Sequence, residues 1–307
     1  MSNRAQVVLT LTLLAVLLAA SAACHAADTS GPEDWKAWRM KRDVSIGGTN
    51  GWTTLVGLHW LPEGDSTAGT DPTNKVVLDT KQMPPTLGVF TRKGTVVTFA
   101  VANGAEVRIA GRRITKSVVM ATDAMGQQPT RLQIGSASII AIQRGLRTGL
   151  RVRDPESEHR RQFKGLKCLP YDVAWRLDGR FVPFPEARTL IVADVTGGKQ
   201  DYRSPGSVVF TAKNVEYRLD VVEEPDEADF FVLFKDATSG VTTYGSGRFL
   251  YVARPGADGR KVVIDFNRAY TPPCGFTDFA TCPLPPPQNT LPFEVNAGEL
   301  GPGGKHH

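Results

Sequence analysis

Cysteine and histidine are scarce in this chain, at four and five of its 307 residues. Cys24 sits in the N-terminal apolar stretch and His306 and His307 sit in the tail, so few of these residues remain for chemistry in the body of the chain. No C-x2-C pair occurs, and Cys274 and Cys282 have no histidine near them, so no metal site is expected. The G-x-S-x-G turn of serine hydrolases is missing. Gly245-Ser246-Gly247 lacks the lysine and the following helix of a phosphate-binding loop, so no nucleotide fold and no cofactor is expected. Long helical patterns do not alternate with strands, which argues against an α/β sheet, and no repeat of fixed period is visible. The longest apolar run, Val7 to Ala20, is too short to span a bilayer.

That run reads as a signal peptide over residues 1–24, with Arg4 before it and small residues after it. Ser21-Ala22-Ala23-Cys24 has the form of a lipoprotein cleavage site with Cys24 as the lipidated residue, whereas cleavage after Ala22 or Ala26 releases a soluble chain. The expectation is an exported, periplasmic protein, soluble or lipid-anchored, that touches a membrane only through Cys24. A hydrophobic fraction of 41% with 22% charged residues is ordinary for a globular protein. The formal charge of +5 is modest. The densest cationic stretch runs from Arg144 to Lys167 and includes Arg147, Arg151 and Arg153. Without a recognition motif it reads as a mixed-charge surface with one or two functional arginines, and no nucleic-acid partner is expected.

Ser30-Gly31-Pro32 is a helix start, with Trp35, Trp38 and Arg42 on one face. Beyond it, glycine or proline recurs every eight to twelve residues between short β-branched runs such as Trp52–Leu61, Ser138–Gln143 and Ser207–Thr211. This rhythm predicts a mainly β chain of antiparallel sandwich-like or barrel-like sheets with one short N-terminal helix. Pro183-Phe184-Pro185 divides it into β-subdomains at 35–182 and 188–299, and 301–307 read as a disordered tail.

The C-terminal third carries the candidate site. Strand-like runs Phe230–Asp236, Val241–Tyr244, Arg248–Ala253 and Lys261–Phe266 lead into a proline-rich loop. They are interrupted by Asp236, Tyr244, Arg248, Asp265 and Asn267, with Tyr270, Asn289 and Glu299 following. Ordinary strands have no need of such groups. Arg248 oriented by Asp236 and Asp265 suits a small polar or anionic ligand, with Tyr244, Asn267, Tyr270, Asn289 and Glu299 as further ligand-binding candidates. A structural ion pair capping strand ends is the competing reading. Alternation places Arg248, Leu250 and Val252 on one face and Phe249 and Tyr251 on the other. Two further functions stay open: a hydrolase using Asp265, Glu299 or His59 as acid or base, and a structural envelope lipoprotein. Cys274 and Cys282 are close enough in sequence for a disulfide, ahead of two free buried thiols.

The stretches DFNRAYTPPCGFTDFATCPLPPPQNTL and TSGVTTYGSGRFL resemble the signatures of the bacterial domain-of-unknown-function family 1684. GWTTLVGLHWLPEG, RGLRTGLRVRD and FKGLKCLPYD extend the likeness upstream, to roughly residues 35–300. Thr271 stands where that family more often has Asn, and Leu300 where a basic residue is usual. The resemblance implies no activity.

Overall fold

The computed structural model describes residues 32–124, 128–225, 227–256 and 259–302. The signal segment, Cys24 and residues 303–307 lie outside them. The chain divides after Trp38 into two compact units. The first holds, among described residues, the opening turns of the helix Pro32–Gly47, and the second, from Arg39 on, holds everything else. Pro32 opens that helix, with Glu33 and Asp34 near the positive end of its dipole. Its less exposed positions include Trp35, Trp38 and Arg42, the helical face expected from the sequence, and also Ile46.

The rest is mainly β, in antiparallel sheets apart from the short parallel pair Gly64–Gly69 with Val76–Val77. Leu55–Trp60, Arg147–Arg153, Ala137–Arg144 and Arg131–Ile134 stand side by side in one six-stranded sheet. A five-stranded sheet around Gly64–Gly69, Gly88–Lys93 and Val96–Val101 shares a core with it, including Phe90, Phe99, Leu132, Ile139, Leu150 and Val152. The third sheet orders Arg248–Val252, Phe230–Phe234, Val215–Glu223, Lys199–Ala212, Arg176–Ala193 and Lys261–Asp265. Its own core contains Val208, Phe210, Leu219, Val232, Leu250 and Phe266.

Two boundaries differ from those read in the sequence. Pro183-Phe184-Pro185 is no divide: it lies inside the strand Arg176–Ala193, where the pairing with Lys199–Ala212 shifts register between Pro183 and Arg188. Proline cannot donate to a ladder, and a register shift is where a strand tolerates it. Val241–Tyr244 is not a strand. Phe234 pairs directly with Arg248, and 235–247 form one long excursion whose Val241 is exposed. At its end Gly247 has φ +97, and a Cβ there would lie 2.6 Å from the Phe234 carbonyl oxygen, so the close backbone approach needs glycine.

Arg248 follows its alternation inward, onto the same face as Leu250 and Val252. It is fully buried, and its guanidinium lies 3.3 Å from Asp236 while donating to the Val295 carbonyl at 3.0 Å and to that of Ala297. Asp236 accepts the Val295 N–H at 2.7 Å and the Thr238 hydroxyl at 2.8 Å. The pair fastens the returning segment 295–297 onto the sheet. Arg248→Ala leaves Asp236 buried without its counter-charge and is expected to destabilise folding by about 3–5 kcal/mol. Urea denaturation of the variant measures this, and a loss below 1 kcal/mol refutes the anchoring role.

Candidate functional site

Most of the polar residues singled out in the C-terminal third turn out to be internal connectors. Asn289 is buried, donates to the main-chain carbonyls of Asp220 at 2.8 Å and Leu233 at 2.9 Å, and accepts the Asp220 N–H. Asn267 does the same for Asp172, donating to its carbonyl and accepting its N–H at 2.9 Å each. Asp265 caps the turn beginning at Phe266 by accepting from the Asn267 N–H at 3.1 Å, and lies 3.6 Å from Arg268. Burial pushes its carboxyl above the usual range. Tyr244 donates to the Cys274 carbonyl at 3.1 Å. Glu299 is sealed from solvent, receives Arg42 at 2.9 and 3.2 Å, and accepts the Thr271 N–H at 2.9 Å. The Thr271 hydroxyl donates to the Leu300 carbonyl.

An amide or carboxylate tied to main chain in this way replaces missing ladder bonds. Of the expected constellation, Arg248 and Asp236 pair with each other, Asp265 lies beside Arg268 instead, and none of the three lines the cavity described below. The acid–base candidates are not brought together either: Asp265, Glu299 and His59 are all absent from the lining of the main cavity. Burial lowers the affinity of His59 for a proton.

The disulfide is also corrected. Cys168, Cys274 and Cys282 are free. Cys274 and Cys282 pack with Phe231, Leu233 and Phe249, and the Cys282 sulfur accepts the Cys274 N–H at 3.2 Å. Their thiols hydrogen-bond to one another without a covalent link, which holds Cys274 below the usual thiol range, while burial pushes Cys282 well above it.

What the structure does open is a cavity of about 960 Å³ on the other face of the same strands. Phe231, Phe249 and Tyr251 alternate with core residues and line it, and Tyr270 joins them from the loop. Across the chain, Arg144 and Arg151 line it from the N-terminal sheet, with Trp52 and Thr281. In Arg147–Arg153 the residues Leu150 and Val152 enter the core, which turns Arg147, Arg151 and Arg153 to the opposite face.

The two lining arginines are unequal. Arg144 is neutralised by Asp123 through paired bonds at 3.0 and 2.9 Å, and it donates to the Thr281 hydroxyl at 3.0 Å. Arg151 is 5% exposed and forms no ion pair among the described residues. It reaches the same Thr281 hydroxyl at only 3.4 Å, lies 5.5 Å from the Trp52 ring centre, and its Nε is buried with no partner. Burial, reinforced by the nearby Arg144 charge, brings its affinity for a proton down to about 10. A buried guanidinium without a carboxylate is electrostatically unfavourable. The signal for it was present: the period-two spacing of Arg147, Arg151 and Arg153 is legible. What the sequence could not supply is that a loop from the far end of the chain covers that face.

Residues 161–300 match the family model described as "Protein of unknown function (DUF1684)". That stretch belongs to the DUF1684 family. The match begins well after residue 35, so the upstream likeness is not part of it. A solution NMR structure of an uncharacterized protein of Haloarcula marismortui is 27% identical to this chain. It matches with a TM-score of 0.40 over 48% of this chain and 82% of that one. No curated protein matches the chain. The DUF1684 stretch supplies Tyr202, Tyr251, Tyr270 and Thr281 to the cavity, while Arg144, Arg151 and Trp52 come from residues before it.

Two stability measurements test these electrostatics. Arg151→Met keeps most of the stem and removes the uncompensated charge, so it is expected to stabilise the ligand-free protein by about 1–2 kcal/mol. A loss of stability in chemical denaturation contradicts the assignment. Glu224, also on the cavity wall, has its carboxyl raised above the usual range by burial. Its contribution is complete below the unfolded value of about 4.3 and is lost as pH rises through the folded value. The stability of Glu224→Gln relative to wild type is thus expected to climb across that window and then level off. A difference independent of pH defeats it.

Proposed function

We propose that this chain is an exported protein that binds a small anionic molecule, and that the ligand lies in the cavity lined by Arg144 and Arg151 and not beside Arg248. The observation that carries this is the Arg151 guanidinium, buried in a recess with an unused Nε and with no ion pair among the described residues. A phosphate or carboxylate supplies the missing charge and accepts the planar fork of donors. Thr281, held by both arginines, adds a hydroxyl at the same point. The volume suits a metabolite-sized ligand, and the aromatic wall of Phe231, Phe249 and Tyr251 suits an apolar body. A purely structural envelope role has no use for an uncompensated charge in a recess. Export and a lipid on Cys24 remain part of the proposal from the N-terminal sequence, outside the described residues.

A thermal-shift screen of the mature protein against phosphates, sulfonates and carboxylates tests the reading. At a hundredfold excess over its Kd, a ligand is expected to stabilise the fold by about 2.7 kcal/mol, and Arg151→Met is expected to abolish the response. If no anion class raises the melting temperature of wild type, anion binding is rejected.

A further inference from the structure

The cavity holds a second ionisable group that lacks a partner of opposite charge. Glu224 follows the strand Val215–Glu223 and lines the same wall as Tyr202 and Tyr251. Its neighbour Glu223 takes both nearby arginines, Arg203 and, at 2.7 Å, Arg254. Glu224 is left with the Tyr251 hydroxyl, which donates to it at 2.6 Å, and with no ion pair among the described residues. The acidic Glu227 also lines the cavity and adds like charge.

The surroundings of Glu224 suit a cation. Tyr251 and Tyr270 stack with ring centres 6.2 Å apart, and Phe231 lies 5.1 Å from Tyr251. The Tyr270 ring already receives one cation, the Arg42 guanidinium at 4.4 Å, which Glu299 holds from behind. Aromatic faces beside a carboxylate are the usual recognition surface for an ammonium group. The Tyr202 phenol feels the charge of both Glu224 and Arg144, so the acidic and basic ends belong to one recess.

Resting on the anion-binding reading above, we infer that the ligand is a zwitterion. Its phosphate or carboxylate meets Arg151, Arg144 and Thr281, and its ammonium group meets Glu224 against the Tyr251 ring. Each end of such a molecule supplies the counter-charge that the protein withholds, which neither a simple anion nor a simple amine does. Specificity follows from the same fact, since a ligand lacking either charge leaves one of the two groups uncompensated.

The test is titration calorimetry with a series of ω-aminoalkyl phosphates, each set against the methyl-terminated alkyl phosphate of equal length, and with the corresponding carboxylates. At the spacer length that matches the recess, the amine-bearing member is expected to bind roughly tenfold more tightly than its methyl counterpart. Glu224→Gln is expected to erase that advantage, and Arg151→Met to abolish binding of both members, with melting curves confirming that each variant is folded. If methyl-terminated anions bind as well as their amine partners at every length, or if Glu224→Gln leaves the preference intact, the zwitterion is overturned while the anion site stands. If no member of any pair binds wild type, the anion reading fails and the zwitterion fails with it.

Discussion

The buried pair of Arg248 and Asp236 is the constraint on which the C-terminal half depends. Two full charges are removed from water there, and they bond to the main chain of 295–297, although the Arg248 Nε is left without a partner. That segment crosses the inner side of the sheet and continues to Glu299, which in turn holds Arg42 of the helix. Asn267 and Asn289 extend the same principle, each standing in for a strand neighbour that the irregular backbone lacks. At Gly298 (φ +82) a Cβ would come 2.4 Å from the Ala269 carbonyl oxygen, so this closure also needs a residue without a side chain.

Because that framework holds the C-terminal loop in place, the loop can cover the outer face of the N-terminal sheet. Thr281 reaches Arg144 and Arg151, Thr277 donates to the Leu55 carbonyl, and Arg147 pairs with Asp194 at 3.1 Å. The sheet face that would otherwise be a wetted row of arginines becomes one wall of a recess. Arg151 loses its water in the process and gains no carboxylate. Arg248 with Asp236 and Glu299 with Arg42 are buried ion pairs, whereas the buried Arg151 and the half-buried Glu224 form no ion pair among the described residues. Unfavourable electrostatics confined to a cavity are characteristic of sites where a ligand completes the arrangement.

Much of the fold was legible in the residues. Turn-forming residues at short spacing gave antiparallel β structure, and alternation in Arg248–Val252 separated Arg248 and Leu250 from Phe249 and Tyr251 as observed. The polar interruptions in the C-terminal strands were correctly seen as anomalous, but most of them serve closure of the fold and not recognition. A polar residue forced into a strand has the same appearance in sequence whether its partner is a ligand or a backbone carbonyl. Only coordinates distinguish them, because the carbonyls that satisfy Asn289 and Arg248 are dozens of residues away.

The sequence by itself determined the strands, their two faces and the chemical groups each face carries, since these follow from local steric preference and a period of two. It also set the run of arginines in Arg144–Arg153, which the acids Asp154, Glu156 and Glu158 follow in the chain. Tertiary structure alone decided which face of each sheet would be sealed and which would open on a cavity. That choice rests on register and on contacts between segments more than a hundred residues apart, such as Arg151 with Thr281. Burial then turned an ordinary surface arginine into an uncompensated charge, a property of its surroundings that no local pattern contains.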